Sequence, residues 1–265
     1  MLFRNTAREM MMRCLVAILL AVMAPIAAAP ADEVKVLAAL AVQDALTPLA
    51  ARFSAARRHT VQPGYSTVGA IRKRLAAGET ADVVVLTSEA IDEMDRAGEL
   101  LAGSSAPVAA TRTGLAIRAG AAAPDISTLE KFRAALLAAR SVAYTDPKSG
   151  GAFGTYFAKE LERMGILDAV NAKAVLRRGS HEIVKAVASG EAELGVTFIS
   201  TIVSTPGLRV AGPLPPPLLG MERFSAGVLR ESISRDTALD FVRALSGATS
   251  ADQWRAAGFE VPASR

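Results

Sequence analysis

Apolar positions along this chain come in two rhythms that take turns. Short, near-continuous runs at 34–40, 83–86, 141–145 and 194–198 have the length of strands buried on both faces. Between them lie stretches with apolar residues three and four apart. In 44–57, Leu46, Leu49, Phe53 and Ala56 share one face and predict an amphipathic helix. The same spacing predicts helices over 70–77, 89–97, 156–164, 236–245 and 251–257, one ending at Ala139, and one beginning at Ser180 that carries Ile183, Val184 and Val187. Further strands are expected at 60–62, 172–176 and 224–229, and 64–69 reads as a turn-rich loop. Ser88 and Ser180 are placed to cap the helices they precede, and Ser127 with Glu130 forms a capping box.

Strand and helix alternating in this way build a parallel sheet covered by helices. The alternation runs twice. An extended segment at 113–118 and a small-residue linker at 119–124 leave the first unit, and the Gly/Pro-rich stretch 212–217 marks the return to it. The expected organisation is a leader at 1–31, a first lobe from 32–113 plus 212–265, and a second lobe at 114–211. Ligands of such sheets sit at the carboxyl ends of strands, so four loops are expected to converge on one cleft: 41–43, 66–68, 148–154 and 179–181.

The most informative stretch is YTDPKSGGAFGTYFAKEL at 144–161, a strand that feeds through glycines into a helix. Unpaired N–H groups and the macrodipole make such a helix start an anion seat. The alternative is that Gly150, Gly151 and Gly154 only turn the chain and let the helix pack closely.

Composition narrows the function. Residues 1–31 have the three parts of a secretory signal peptide: Arg4, Arg8 and Arg13, an apolar run at 14–23, and Ala29-Pro30-Ala31 before Asp32. Cleavage there would remove Cys14, the only cysteine, and with it any disulfide or thiolate chemistry. Losing three arginines and Glu9 would lower the formal net charge from +4 to +2. Basic residues are mixed with acids and form no aromatic-rich stripe, which argues against nucleic acid as a partner. Dinucleotide, phosphate-loop, nucleophile-elbow and metal-ligand signatures are absent from the sequence, so neither a cofactor nor a metal is expected.

Three segments, GETADVVVLTSEAIDEMDRAGEL at 78–100, the 144–161 stretch and VKAVASGEAELGVTFIS at 184–200, resemble the molybdate-type periplasmic solute-binding proteins of ABC importers. The resemblance implies the type II periplasmic binding fold: two α/β lobes, a two-segment hinge and a central ligand cleft. It implies a monomer in the periplasm that hands a small anion to an ABC permease. The family's two serine hydroxyls fall at Ala41 and at Ser66 or Thr67, its tyrosine at Phe198, and its two amides near 152–154 and Ser180. Ligand-binding candidates are thus Ala41, Val42, Ser66, Thr67, Val68, Lys148, Ser149, Gly150, Gly151, Ala152, Ser180, His181 and Phe198. Alanine and phenylalanine in place of two hydroxyls point away from molybdate, and a further resemblance implies an organic carboxylate instead. Ala123–Ser127, 142–144, Ser149-Gly150 and 190–195 also resemble exported proteins acting on tricarboxylates, including aconitate isomerase, an enzyme without a cofactor. Arg72 and Arg112 are further candidate cations, and His181, or else Glu182 or Tyr144, is the candidate base of an isomerase.

Overall fold

The computed structural model describes residues 32–57, 59–149, 152–218 and 220–262. The leader read at 1–31 lies outside the described residues, as do Gly150 and Gly151. In chain order the elements begin with β1 (Glu33–Ala39), a 3-10 turn (Leu40–Val42), α1 (Gln43–Arg57), β2 (Thr60–Ser66), α2 (Val68–Ala76), β3 (Val83–Thr87) and α3 (Ser88–Arg96). The long β4 (Ala106–Arg118) leads to α4 (Leu129–Ala138), β5 (Val142–Thr145), a second 3-10 turn (Pro147–Ser149), α5 (Ala152–Arg163), α6 (Leu167–Asn171), β6 (Ala174–Arg177) and α7 (Ser180–Ser189). Then come β7 (Leu194–Phe198), α8 (Ile199–Val203), β8 (Leu208–Pro213), β9 (Met221–Val228), α9 (Arg235–Ser246) and α10 (Ala248–Ala256).

The strands join in the order β2-β1-β3-β9-β4-β7-β5-β6, with β8 also on β4. Each half of this curled sheet has a parallel centre, β2-β1-β3 in one and β7-β5-β6 in the other. β4 pairs with β9 up to Arg112 and with β7 from Thr113, so one strand serves both halves. Helices cover both faces of each half. Val83 and Val85 enter one core with Leu46, Phe53, Phe241 and Trp254, while Val84 and Leu86 enter another with Ile71, Ile91 and Met94. Burial on both faces is why 83–86 reads as an unbroken apolar run. In the second half Phe132, Tyr144 and Phe157 fill one face, and Ile183, Val184 and Val187 the other.

Several local expectations shift. β2 continues through Pro63-Gly64 to Ser66, where a loop was expected; it is an edge strand, where proline withholds no ladder donor that a neighbour needs. Thr87, not Ser88, caps α3, accepting from Ala90 N at 3.4 Å, while Ser88 Oγ meets Ser225 Oγ at 2.8 Å. Thr128, not Ser127, caps α4, accepting from Lys131 N at 3.3 Å. Gly179 occupies the cap position of α7, and Ser180 lies inside the helix without a side-chain capping bond. The short elements α6, α8 and β8 were not anticipated, because so few residues show no period.

On the surface beside β1, hydrogen bonds from Arg74 and then Lys35 hold the Glu79 carboxyl at about 2, below its ordinary 4.5. A depressed carboxylate stabilises the fold above its unfolded value and loses that contribution as pH falls toward the folded one. Between about pH 4.5 and 2, Glu79→Gln should therefore lose less stability on acidification than the parent. Parallel acid unfolding curves for the two proteins would contradict this.

Candidate ligand cleft

The carboxyl ends of β1, β2 and β3 share one edge of the first half, and those of β5, β6 and β7 one edge of the second. From the first half, the turn after β1 brings Ala41 and Val42. Val42 is fully buried in the core at 0% exposure, so only its backbone can reach a ligand; Ala41 packs on the same core from its rim. Ser66 ends β2 half-buried. Thr67 caps α2, its oxygen accepting from Ala70 N at 3.3 Å, which leaves the O–H free to donate outward. The Val68 side chain packs between the two cores and adds nothing polar.

From the second half, Asp146 folds the turn after β5 onto itself. Its carboxylate accepts from Lys148 N at 2.8 Å, and its carbonyl accepts from Ser149 N at 3.0 Å and Ser149 Oγ at 2.7 Å. The Ser149 hydroxyl is thereby engaged in the turn, while Lys148 is exposed and no carboxylate among the described residues pairs with it. Ala152 begins α5. A Cβ on Gly154 would lie 2.6 Å from the Thr145 carbonyl oxygen and 3.0 Å from the Asp146 carbonyl carbon, so the start of this helix sits directly on the end of β5. Gly154 therefore serves close packing and, through it, the placement of a helix N-terminus at the cleft edge. The N-terminus of α7 has no side-chain cap, which leaves the first amides, those of Ser180 and His181, without such a partner.

The two halves meet at His181. Its Nε2 lies 3.4 Å from Asp44 Oδ2 in the first turn of α1, yet it is buried and makes no hydrogen bond among the described residues. Asp44 was not foreseen as a site residue; its signal was an acidic position immediately after the 41–43 loop. Beside it Thr47 Oγ1 and Tyr65 OH are 2.7 Å apart. Burial raises the Tyr65 pKa and the Asp44 charge adds to this, while the Thr47 bond works against it. A hollow of about 490 Å³ adjoins Asp44 and Thr47, but it is lined otherwise by Gln43, Pro48, Ser204, Gln253, Ala256 and Ala257, and includes neither His181 nor any of the ligand-binding candidates. Phe198 is half-buried, and its ring stands 6.2 Å from that of Phe153, forming an apolar wall.

Other candidates point elsewhere. Arg72 is held by Glu99 through bonds of 2.7 and 3.2 Å, and Arg112 by Glu260 at 2.7 Å. Tyr144 is 1% exposed and donates to Asn171 within the core, so it cannot act as a base in the cleft. The Glu182 carboxylate accepts from Arg178 N at 3.2 Å at the start of its own helix. Of the side chains singled out from the sequence, Lys148 and His181 remain at this edge. Glu222, unforeseen, begins β9 opposite Thr111; burial raises its pKa, and the Glu89 charge adds to it.

Residues 34–260 match the family of bacterial extracellular solute-binding proteins. The chain belongs to that family. This solute-binding protein is 33% identical over 167 residues to an aconitate isomerase from Pseudomonas sp., a match spanning 63% of the chain and 62% of that enzyme's length. The periplasmic molybdate-binding protein of Azotobacter vinelandii superposes with a TM-score of 0.70 at 21% identity, covering 87% of this chain and all of that one (100%). The substrate-binding domain of a molybdenum ABC transporter from Clostridium difficile gives 0.68 at 16% identity, covering 88% of this chain and 100% of that one. These likenesses establish the two-lobed α/β fold of periplasmic binding proteins. No helix among the described residues is long and apolar enough to cross a membrane, and no group of three metal-ligating side chains occurs among them.

Proposed function

We propose that this solute-binding protein closes on a small organic polycarboxylate, with lobes at 32–113 plus 212–265 and at 114–211. It is exported to the periplasm as a monomer and presents its ligand to an ABC permease. The observation that carries the reading is the approach of His181 to Asp44 at 3.4 Å, which brings the uncapped start of α7 beside the first turn of α1. Amides, Lys148 and the Ser66 and Thr67 hydroxyls supply donors for carboxylate oxygens, and the Phe153–Phe198 wall suits a carbon skeleton. A tetrahedral oxyanion would lack the two donors that Ala41 and Phe198 do not provide, and each bond to a charged group is worth about 1.5–3 kcal/mol.

A second reading, a cofactor-independent isomerase of the aconitate type, is favoured by the same pair. A carboxylate beside an imidazole orients it, and His181 so held takes a proton from carbon next to one carboxylate and returns it elsewhere on the skeleton as the double bond shifts. The cleft amides would hold the negative charge that develops. Melting the protein with molybdate, sulfate, citrate, cis-aconitate and trans-aconitate tests both. At a hundredfold excess over Kd a native-state ligand adds about 2.7 kcal/mol, so tricarboxylates should raise Tm by about 5–10 °C. A rise with molybdate alone would defeat the carboxylate reading. Ultraviolet measurement of aconitate interconversion then separates the two functions: turnover that vanishes in His181→Gln while binding persists marks the isomerase, and binding without turnover marks the carrier.

A further inference from the structure

Four hydroxyls near the crossing of the two lobes, those of Thr113, Thr197, Ser200 and Thr201, are buried without a hydrogen-bond partner among the described residues. Buried hydroxyls are nearly always paired, so such a group needs a reason. The register of β4 divides these four. Thr113 stands directly opposite Phe198, and antiparallel partners point to the same face, whereas Thr197 stands opposite Gly114 on the other face. Thr111, two residues before Thr113, shares the Phe198 face, and its Oγ1 accepts from Ser200 N at 3.3 Å, which brings the start of α8 onto that side. Thr113 and Ser200 are each 2% exposed. The backbone of Thr113 is clamped by the returning segment, donating to Gly220 O at 3.2 Å and accepting from Leu214 N at 3.0 Å. An unpaired hydroxyl is thus held on a fixed backbone, on the face of the sheet that also carries the Phe198 side chain.

We propose that the Thr113 and Ser200 hydroxyls form a recessed seat for one carboxylate group of the ligand, while another carboxylate is held by the helix starts above. The proposal rests on the polycarboxylate reading and adds to it a reason for selecting ligands with at least two carboxylates. Two hydroxyl donors suit the two oxygens of a carboxylate, and the low dielectric of a buried floor strengthens bonds to a charged acceptor. Phe198, without a hydroxyl of its own, leaves these donors to the ligand.

Calorimetric titration with cis-aconitate and citrate, together with ligand-free melting, tests this on Thr113→Val, Thr113→Ser, Ser200→Ala and Thr197→Val. Thr113→Val and Ser200→Ala should each weaken tricarboxylate binding by about tenfold, the loss of one charge-assisted bond. Thr113→Ser should bind as the parent does, and Thr197→Val, on the opposite face, should be unchanged. Without ligand, Thr113→Val should melt no lower than the parent, because a methyl in place of an unpaired hydroxyl is neutral or stabilising. Unchanged tricarboxylate affinity in Thr113→Val overturns the proposal and leaves the polycarboxylate reading standing. A melting point several degrees lower with affinity unchanged also overturns it, and assigns the hydroxyl to a structural water. If the parent protein binds molybdate and no tricarboxylate, the polycarboxylate reading itself fails and the seat with it.

Discussion

Replacing Gly154 by alanine is expected to destabilise the fold by about 2 kcal/mol and to weaken anion binding at least tenfold. The added Cβ would lie 2.6 Å from the Thr145 carbonyl oxygen and 3.0 Å from Asp146 O. Neither atom can give way easily. Thr145 ends a strand paired to β6, and Asp146 N donates to Arg177 O at 2.7 Å. Alanine would return about 1 kcal/mol in helix propensity, less than the strain of pushing a helix off a strand. The first turn of α5 must shift, and its amides shift with it. Urea unfolding reads the first effect and ligand titration the second. A variant as stable as the parent would show that α5 can settle without displacing its N-terminus.

The larger loss of stability is expected at Asp82. This carboxylate is 6% exposed and accepts from Lys35 N at 2.9 Å, from Ser232 Oγ at 2.7 Å and from Ser234 N at 3.4 Å. It ties β1 to the turn that precedes α9, which lies 150 positions beyond Asp82 in the sequence. Asp82→Ala leaves those donors without an acceptor in a closed site, at a cost of about 3 kcal/mol or more. Asp82→Asn keeps one acceptor oxygen and should lose roughly half as much. Both values come from the denaturation midpoint at constant slope. An alanine variant within 1 kcal/mol of the parent, about the worth of one net hydrogen bond, would mean that water replaces the carboxylate at this junction.

The parts of this molecule that sequence reveals are those governed by short-range rules. Strands such as β3 and β7 announce themselves because burial on both faces needs unbroken apolar runs. The capping residues were misplaced by one position, Thr87 for Ser88 and Thr128 for Ser127, because neighbouring hydroxyls have equal capping chemistry and only backbone geometry chooses between them. The candidate site divides in the same way. Loops at 41–43, 66–68 and 179–181 follow from the parallel strand order, but that order does not say which charges meet across the cleft. Arg72 and Arg112 looked available until Glu99 and Glu260 were brought beside them. Asp44 became visible only when the lobes placed it against His181, 137 positions away in the numbering. The hydroxyl of Thr113 gained meaning from its register with Phe198, a property of pairing that no local pattern encodes.

On the proposed function, the cleft takes a polycarboxylate in preference to a tetrahedral oxyanion. Calorimetric titration of the purified protein with cis-aconitate, and with molybdate in a parallel run, tests it most directly. One-to-one binding of cis-aconitate is expected, at least a hundredfold tighter than any binding of molybdate, about 2.7 kcal/mol in favour of the carboxylate. Molybdate binding equal to or tighter than that of cis-aconitate would contradict it.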